Sequence, residues 1–556
     1  MSKRLLKLLV LHLALSLFPL HSFASIQPLF QFAAGLLNNG QFPESDRYTT
    51  DDDIVILTND GVELTANIFV PTQLTGSAPA VVFINSWGMN EYQYLQQAAA
   101  LAERGYVVLS YSTRGFGEST GQIDTAGPKD IADYSQVIDF LLNNYPVNPN
   151  AVGTAGISYG SGISLIGAAQ DERVKAVAAM SSWGSLLDAL YGNQTPRLAW
   201  GELLILLSDL QGSPDPIIAE NWNIIKNQKL DQLPAVIEWA DERSPISYVE
   251  QLNQNNTAVY FAKAYGDNLF QANSLLEMYS QLSTPKYIDL LTGTHATAEL
   301  LPPLLGIGED RIWNNVYQWF DIHLKGESNE LSQASPFQMK VKFQDRYEGF
   351  DGFPIKEAAE QKYYLHPRSA FDNGDLETFP YEPPFWMSKD NTINSWTGSL
   401  FSTQIPVLSQ LLEQLEVPVV TNIYAASDFR GIYFNTDKLQ NVMKIRGNPT
   451  VNLVVQPHYD KAQLVGYLYD MDSLGNARLI THGVSTLPQA EPGQKIEMSF
   501  ELVTTAYDVP EGHRVVLAID TKDPQYKRPT SDNYFIDFEF SRQKQSTFTI
   551  PTLQAN

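Results

Sequence analysis

The chain has 556 residues, of which 44% are apolar and 18% charged, and its formal net charge is −25. A chain of this length is expected to form two or three domains rather than one core. The strong negative charge argues against nucleic acid and anionic membrane surfaces as partners. Because cysteine is absent, a thiol nucleophile, a metal site with cysteine ligands and lipid attachment at an amino-terminal cysteine are excluded.

Residues 1–24 have the pattern of a secretory signal peptide. The basic start MSKRLLK precedes a mostly apolar run at 8–18, and Ser22 and Ala24 supply the small residues of a cleavage site. The apolar run is too short to span a bilayer comfortably. We therefore predict cleavage after about Ala24, no membrane anchor after cleavage, and a periplasmic or secreted protein. An uncleaved anchor is the alternative.

The region from 54 to 170 alternates between strand and helix patterns. A hairpin around the Asn-Asp-Gly turn at 59–61 comes first, and the apolar strands 80–85 and 106–112 follow with a helix between them. A helix at 130–142 then leads to the short strand 152–156 and a further helix. Such alternation predicts an α/β domain with a mostly parallel sheet.

Two segments match the pattern G-x-S-x-G that surrounds many nucleophilic serines. The first, GESTG at 117–121, lies in a loop with no helix behind it, whereas GISYG at 156–160 joins a strand directly to a helix. A nucleophile elbow requires this strand-turn-helix context, and its glycines allow the sharp turn. We therefore predict Ser158 as the nucleophile and a structural role for Ser119.

A nucleophilic serine needs a histidine base and an acid that orients the base. His295 lies in a loop at the end of a predicted core strand, and Asp267 ends another strand, whereas Asp289 is inside a strand and is interpreted as structural. The order Ser158, Asp267, His295 is that of α/β-hydrolases. The other mature-chain histidines have structural interpretations: His323, His366, His458, His482 and His513.

An oxyanion hole needs two N–H donors directed at the developing negative charge. We predict the backbone N–H of Tyr159, which follows the nucleophile, as the first donor. The second is predicted to be the backbone N–H of Trp87, in the loop at 86–89 that follows the strand 80–85.

Several segments together resemble the serine hydrolase family of X-Pro dipeptidyl peptidases, bacterial cocaine esterase and α-amino-acid ester hydrolases. They are STRGFGESTG (112–121), AGISYGSG (155–162), YGDN (265–268), LTGTH (291–295), FDIHLKG (320–326), RGNP (446–449) and AYDVPEGHRVVLAID (506–520). The resemblance implies an α/β-hydrolase domain at 25–330, a helical cap inserted at 185–250, and a carboxy-terminal β-sandwich at 331–556. This β-sandwich would be a jelly roll of the galactose-binding type.

The chain departs from this family pattern in two places. Relatives commonly place an oxyanion-hole tyrosine in the loop after the second strand, where this chain has NSWG, with Tyr92 and Tyr94 further along. α-Amino-acid ester hydrolases have carboxylates just after the triad aspartate, which hold the substrate ammonium. Here Asn268, Leu269 and Phe270 follow instead, which weakens the case for recognition of an amino terminus.

No metal or cofactor is expected. The chain lacks H-E-x-x-H and a P-loop, and DMDSLG (470–475) is interpreted as a β-hairpin because Leu474 stands where a calcium ligand is required. Aromatic residues of the cap are candidates to line an apolar acyl pocket, although core packing is their commoner role. They are Trp183, Tyr191, Trp200, Trp222 and Trp239.

The sequence favours an exported, metal-independent serine hydrolase that cleaves a small-molecule ester or a short peptide through an acyl-enzyme. An acyl esterase is the first hypothesis, and kcat/KM should then rise with pH through roughly the imidazole range. An X-Pro dipeptidyl peptidase is the second and would need a cap carboxylate such as Glu202 or Asp209 for the substrate ammonium. A non-catalytic polymer-binding protein is the third. The sequence does not predict an oligomeric state.

Overall fold

The computed structural model describes residues 41–300, 310–368, 373–384, 389–396, 399, 401, 408–426 and 430–554. The predicted signal peptide at 1–24 lies outside the described residues, and both its cleavage and the export of the protein stay predictions. Among the helices within these ranges, none is both long enough and apolar enough to cross a membrane.

Ten strands form the first sheet, in the order β1-β2-β4-β3-β5-β6-β7-β8-β9-β10. They are β1 Tyr48–Leu57, β2 Glu63–Pro71, β3 Ala78–Ile84, β4 Val107–Tyr111, β5 Val147–Ile157, β6 Val174–Met180, β7 Ala258–Ala264, β8 Lys286–Leu291, β9 Phe337–Lys340 and β10 Tyr347–Phe350. The strands from β4 to β9 are parallel, and β1, β2 and β10 pair antiparallel at the two edges. This mostly parallel sheet confirms the predicted α/β fold.

Helices cover both faces of the sheet, as a parallel sheet requires. The α-helices of the described residues are, in chain order, α1 Leu95–Glu103, α2 Pro128–Asn144, α3 Tyr159–Gln170, α4 Leu186–Tyr191, α5 Leu198–Gln211, α6 Pro216–Lys226, α7 Leu233–Asp241, α8 Val249–Asn255, α9 Ala272–Gln281, α10 Arg311–Lys325 and α11 Leu408–Gln414. The buried residues Leu101 of α1 and Trp313 of α10 belong to the core on one face. Tyr134 of α2, Ile163 of α3 and Leu275 of α9 belong to the core on the other.

The helices between β6 and β7 form the cap insertion that the resemblance implied. Helix α5 has apolar residues around most of its circumference and contacts α6, which in turn contacts α7. The last helix of the insertion, α8, packs against α3 and so returns the chain to the sheet. The cap is therefore inserted in the chain between β6 and β7, which are neighbours in the hydrolase sheet. It directly follows β6, the first strand after the nucleophile.

After β10, the described part of the chain is all-β apart from the short helix α11 and one 3-10 turn, which confirms the predicted fold class. Its strands are β11 Ala358–His366, β12 Gly374–Glu377, β13 Lys389–Asn394, β14 Val420–Asn422, β15 Gly431–Asn435, β16 Met443–Gly447, β17 Thr450–Pro457, β18 Ala462–Met471, β19 Asn476–Leu487, β20 Ile496–Glu501, β21 Thr505–Val509, β22 Arg514–Asp520, β23 Phe535–Phe540 and β24 Thr547–Leu553. The segment 470–475 lies at the turn between the antiparallel strands β18 and β19.

The boundary that was predicted between residues 330 and 331 stays a prediction. The first strand beyond it, β9, pairs in parallel with β8, with Ile288 opposite Phe337. Strand β10 then pairs antiparallel with β9. These two strands therefore extend the hydrolase sheet before the chain enters the β-domain.

Candidate active site

Ser158 lies at the sharp turn between β5 and α3, with φ +57° and ψ −119°. A non-glycine residue in such a conformation costs about 1–3 kcal/mol, so the surrounding packing must enforce it. A Cβ atom on Gly160 would lie 2.1 Å from the carbonyl oxygen of Ile84, and one on Gly156 would lie 2.4 Å from the carbonyl carbon of Gly160. The glycines on both sides of Ser158 are therefore required for close backbone contact.

The structure places Ser158 and Asp267 each within hydrogen-bond distance of His295, as predicted for a triad. His295 Nε2 lies 2.7 Å from Ser158 Oγ, and His295 Nδ1 lies 2.9 Å from Asp267 Oδ2. The other carboxylate oxygen of Asp267 accepts backbone N–H groups of Leu269 and Phe270, at 3.1 and 3.0 Å. A serine hydroxyl bonded to an imidazole that a carboxylate orients can be deprotonated as it attacks a carbonyl.

The turn that carries His295 is held by two residues that sequence reasoning did not identify. Ala296 has φ +61°, and its backbone N–H donates a 3.1 Å hydrogen bond to Ser181 Oγ. Ser181, itself at φ +47°, donates its hydroxyl to Glu299 Oε1 at 2.8 Å. Glu299 is buried, and this burial raises the pKa of its carboxyl. Ser181 and Glu299 thus fix the backbone next to the imidazole.

A fully buried lysine lies beside the carboxylate of Asp267. Lys263 Nζ is 2.6 Å from Asp267 Oδ2 and donates a second hydrogen bond, of 2.9 Å, to the carbonyl of Ser182. Burial alone would raise the pKa of Asp267, but the charges of His295 and Lys263 and their hydrogen bonds lower it to about 2. Asp267 is therefore ionised across the range in which a histidine base works.

Tyr159 is the first residue of α3, and the first four N–H groups of a helix have no acceptor within the helix. The predicted second donor, Trp87, lies beside it, because the two rings meet edge to face at 5.3 Å. The indole N–H of Trp87 donates to the carbonyl of Leu204 in the cap. Ser86 Oγ donates to the carbonyl of Ile157, which ties the loop after β3 to the elbow. The roles of both oxyanion-hole donors stay predictions.

The two tyrosines that follow Trp87, Tyr92 and Tyr94, make contacts of other kinds. The hydroxyl of Tyr94, which is buried, accepts the backbone N–H of Ile157 at 2.9 Å. Tyr92 packs edge to face against Phe42 at 6.2 Å. Tyr94 therefore uses its hydroxyl to hold the backbone at the elbow rather than to bind an oxyanion.

Two aromatic rings contact the imidazole of His295. Trp200 of the cap lies at 5.7 Å and Phe270 at 5.0 Å, both edge to face. Of the five cap aromatics proposed from the sequence, Trp200 has this contact, and Trp183 lies one ring further away, at 4.9 Å from Phe270. Phe270 itself was not predicted as a pocket residue, although it lies three positions after Asp267.

The two cap carboxylates considered for ammonium recognition are placed differently. Glu202 accepts hydrogen bonds from Lys226 Nζ at 2.7 Å and from the indole of Trp222 at 3.1 Å. It follows Trp200 by two positions in α5, and residues at that spacing do not share a helix face. Asp209 is exposed near the end of the same helix.

Ser119, the serine of the other G-x-S-x-G match, is buried in a structural loop. Its hydroxyl donates to the carbonyl of Ser112 at 2.8 Å and accepts the backbone N–H of Thr65 at 2.9 Å. The same loop is anchored by Arg114, whose guanidinium makes two 2.7 Å bonds to Asp133. These contacts agree with the structural role that was predicted for the loop.

Lys263 is the main residue of the site that sequence reasoning missed. A signal was present, because lysine is almost never fully buried without a partner and this one interrupts the apolar strand AVYFAKA.

No cluster of three or more His, Asp or Glu side chains suited to a metal ion occurs in the part of the chain that the structure describes.

Two domain models match successive parts of the chain. The model of the X-Pro dipeptidyl-peptidase (S15 family) matches residues 60–297, and the model of the X-Pro dipeptidyl-peptidase C-terminal non-catalytic domain matches residues 329–550. An uncharacterised protein from Pseudomonas aeruginosa is 35% identical over 121 residues, which are 21% of this chain and 33% of that protein. The chain spans about a third to a half of the length of the curated relatives that it matches.

Solved structures share the fold over nearly the whole chain. An α-amino acid ester hydrolase has a TM-score of 0.72 at 15% identity, with 93% of this chain and 99% of that chain covered. A CocE/NonD family hydrolase from Staphylococcus aureus has a TM-score of 0.69 at 14% identity, with 91% and 94% covered. At 14–15% sequence identity, the likeness to these two structures establishes the fold alone.

Proposed function

The chain belongs to the X-Pro dipeptidyl-peptidase (S15) family of serine hydrolases, and we propose that it is an acyl esterase whose triad is Ser158, His295 and Asp267. The 2.7 Å hydrogen bond between Ser158 Oγ and His295 Nε2 carries this proposal. A serine hydroxyl is a weak nucleophile until an adjacent base takes its proton, and this contact supplies the base.

In the proposed reaction Ser158 Oγ attacks the ester carbonyl carbon while its proton moves to His295 Nε2. The backbone N–H groups of Tyr159 and Trp87 bind the oxyanion of the tetrahedral intermediate. As the intermediate collapses, the alcohol leaves with the proton from Nε2, and an acyl-enzyme remains. Water then repeats the two steps, which releases the acid and restores Ser158. Asp267 accepts the Nδ1–H bond throughout and keeps His295 in the required tautomer.

The surroundings of His295 favour an ester over a substrate with a free amino terminus. A dipeptidyl peptidase must offer a carboxylate to the substrate ammonium, since a desolvated charge needs a partner. Two carboxylates, Asp267 and Glu299, lie close to His295 and Lys263, and both are buried. The rings of Trp200 and Phe270 instead offer apolar surface to an acyl group.

A second candidate, an X-Pro dipeptidyl peptidase, is favoured by the match of residues 60–297 to the S15 domain model. In such an enzyme the cap would have to be arranged differently for Glu202 to bind the substrate ammonium, because Glu202 is already paired with Lys226. The two activities share one chemistry and differ in the substrate that reaches Ser158.

Initial rates on p-nitrophenyl butyrate and Ala-Pro-p-nitroanilide test the proposal in the wild type and in Ser158→Ala. We expect ester turnover in the wild type, weak or no cleavage of the anilide, and a fall in kcat of about 10³-fold or more in the variant. Ser119→Ala is the matched control, and it should keep its ester turnover because Ser119 serves the loop. Preferential cleavage of the anilide would replace the esterase by the dipeptidyl peptidase.

A fluorophosphonate probe separates both enzymes from a non-catalytic polymer-binding protein. We expect one covalent adduct, on the peptide that contains Ser158, in the wild type and in Ser119→Ala. The absence of any adduct on folded wild-type protein would contradict the acyl-enzyme mechanism and favour the binding protein.

A further inference from the structure

Lys263 lies at the carboxyl end of β7, four residues before Asp267, and none of its side chain is exposed. Its ammonium group donates to Asp267 Oδ2 and to the carbonyl of Ser182, and it lies 5.6 Å from the ring centre of Phe270. A buried cation needs such a partner, because an unpaired one would cost several kcal/mol. The lysine is therefore built into the base of the site.

One oxygen atom joins this cation to the imidazole. Asp267 Oδ2 lies 2.6 Å from Lys263 Nζ and 2.9 Å from His295 Nδ1, so the two nitrogens are separated by a single oxygen atom. In a simple serine triad the carboxylate charge acts on the histidine alone. Here the same charge is shared with an ammonium group.

The charges that face His295 come from three elements. Asp267 lies in the loop after β7, Lys263 in β7 itself, and Glu299 in the turn of helix that follows β8. Burial raises the pKa of Glu299, and its Oε1 accepts a hydrogen bond from Ser181 rather than from the imidazole. The Asp267 carboxylate that accepts from His295 also faces one ammonium group, so it attracts a protonated imidazole less strongly than a lone carboxylate would.

We propose that Lys263 is a positioning residue of the triad, which holds Asp267 by Oδ2 and shares the charge of this carboxylate with His295, so that the pH profile of the reaction depends on Lys263. This inference rests on the proposed function, since it concerns the base of that mechanism.

The pH profile of kcat/KM on p-nitrophenyl butyrate tests the role of Lys263. In Lys263→Met, which keeps most of the side-chain volume, the acidic midpoint should move up by about one pH unit because the cation near the imidazole is gone. Lys263→Gln keeps a hydrogen-bond donor without the charge and should shift in the same direction. Lys286→Met is the matched control, because Lys286 Nζ donates to the carbonyls of Tyr279 and Leu282, at 2.8 and 2.6 Å.

An unchanged midpoint in either folded Lys263 variant would overturn the proposal, as would an equal shift in Lys286→Met. If neither Lys263 variant folds, Lys263 is required for folding alone and the proposed role in the triad is overturned. Probe labelling at Ser158 is scored separately. Absence of labelling defeats the proposed function, whereas labelling with an unshifted midpoint defeats only the role of Lys263.

Discussion

Asp130 and Tyr159 form a buried pair beneath the nucleophile elbow. The hydroxyl of Tyr159 donates a 2.5 Å hydrogen bond to Asp130 Oδ2, which also accepts the backbone N–H of Ala126 at 2.8 Å. Burial, reinforced by the charge of Asp124, raises the pKa of Asp130 to about 8. At neutral pH the Asp130 carboxyl is therefore protonated in the folded protein, and it accepts the hydrogen bond from Tyr159 as a neutral carboxylic acid.

This proton makes the stability of the protein depend on pH. In the unfolded chain Asp130 ionises near its ordinary pKa of about 3.9. Its contribution to the free energy of unfolding is therefore fully present below about pH 4 and is lost as the pH rises through about 8. We expect the wild type to lose stability relative to Asp130→Asn between about pH 5 and about pH 8, by up to about 1.4 kcal/mol per pH unit.

Equilibrium unfolding in denaturant, at several pH values across this range, measures the difference between the two proteins. Titrating groups that the wild type and Asp130→Asn share cancel in this difference, so its slope reports on Asp130 alone. Parallel stability curves for the two proteins would show that Asp130 is ionised in the fold.

The sequence predicted Ser158, Asp267 and His295 because each follows the end of a recognisable strand, and the carboxyl ends of parallel strands meet at one edge of a sheet. Lys263 was missed although its strand was predicted. Its partners are the carbonyl of Ser182, which follows β6, and a carboxylate on the loop after its own strand. The contact with Ser182 depends on the distance between neighbouring strands, and the contact with Asp267 depends on the path of the loop after β7, so neither follows from residue type or spacing.

Helix α3 approaches the sheet so closely that one added methyl group would displace it. A Cβ atom on Gly160 would lie 2.1 Å from the carbonyl oxygen of Ile84 and 2.8 Å from its carbon, both of which are rigid backbone. We expect Gly160→Ala to destabilise the protein by about 1–3 kcal/mol or more. It should also lower kcat/KM on the ester about 100-fold, because Ser158 begins the same turn and a shift near 1 Å disturbs the attack geometry.

Denaturant unfolding and ester kinetics measure the two effects of Gly160→Ala. Gly76→Ala is the control, because a Cβ atom added at Gly76 would meet no described atom within 4 Å, and the stability should change by no more than about 0.5 kcal/mol. Wild-type kinetics in Gly160→Ala would mean that the contact with Ile84 does not set the position of the elbow.

Strand partners were harder to predict than the strands themselves. The predicted bounds place residues 331–556 in the β-sandwich, whereas β9 at Phe337–Lys340 pairs with β8 in the hydrolase sheet. A period of two tells which side chains share a face and carries no information about the neighbouring strand.

The β-domain contacts the segment that leads into the cap helix α5. Thr195 Oγ1 lies 2.7 Å from Thr486 Oγ1, and Asn193 Nδ2 donates to the carbonyl of Val484 at 3.1 Å. A backbone N–H of the β-domain also donates to the carbonyl of Pro196 at 3.0 Å. The cap is therefore held from both sides, by the hydrolase sheet and by the β-domain.

Tyr526 is the centre of this contact. The guanidinium carbon of Arg197 lies 5.1 Å from the centre of the Tyr526 ring, and the Tyr526 hydroxyl lies 2.7 Å from Nε2 of the buried His482. Arg197 directly precedes α5, which carries Trp200 against His295 three residues later. A change in the β-domain at Tyr526 should consequently reach the imidazole through one short helical turn.

Replacement of Tyr526 tests whether the β-domain is part of the active-site scaffold. Tyr526→Ala removes the ring beneath a buried cation, so we expect a loss of about 3–5 kcal/mol of stability and a fall of about tenfold or more in kcat/KM on the ester. Tyr526→Phe keeps the ring and should keep kcat/KM within about threefold, with a loss of about 1–3 kcal/mol because His482 loses its partner. Denaturant unfolding and ester kinetics on the three proteins measure these effects. Wild-type kcat/KM in folded Tyr526→Ala would mean that the hydrolase domain positions its cap without the β-domain.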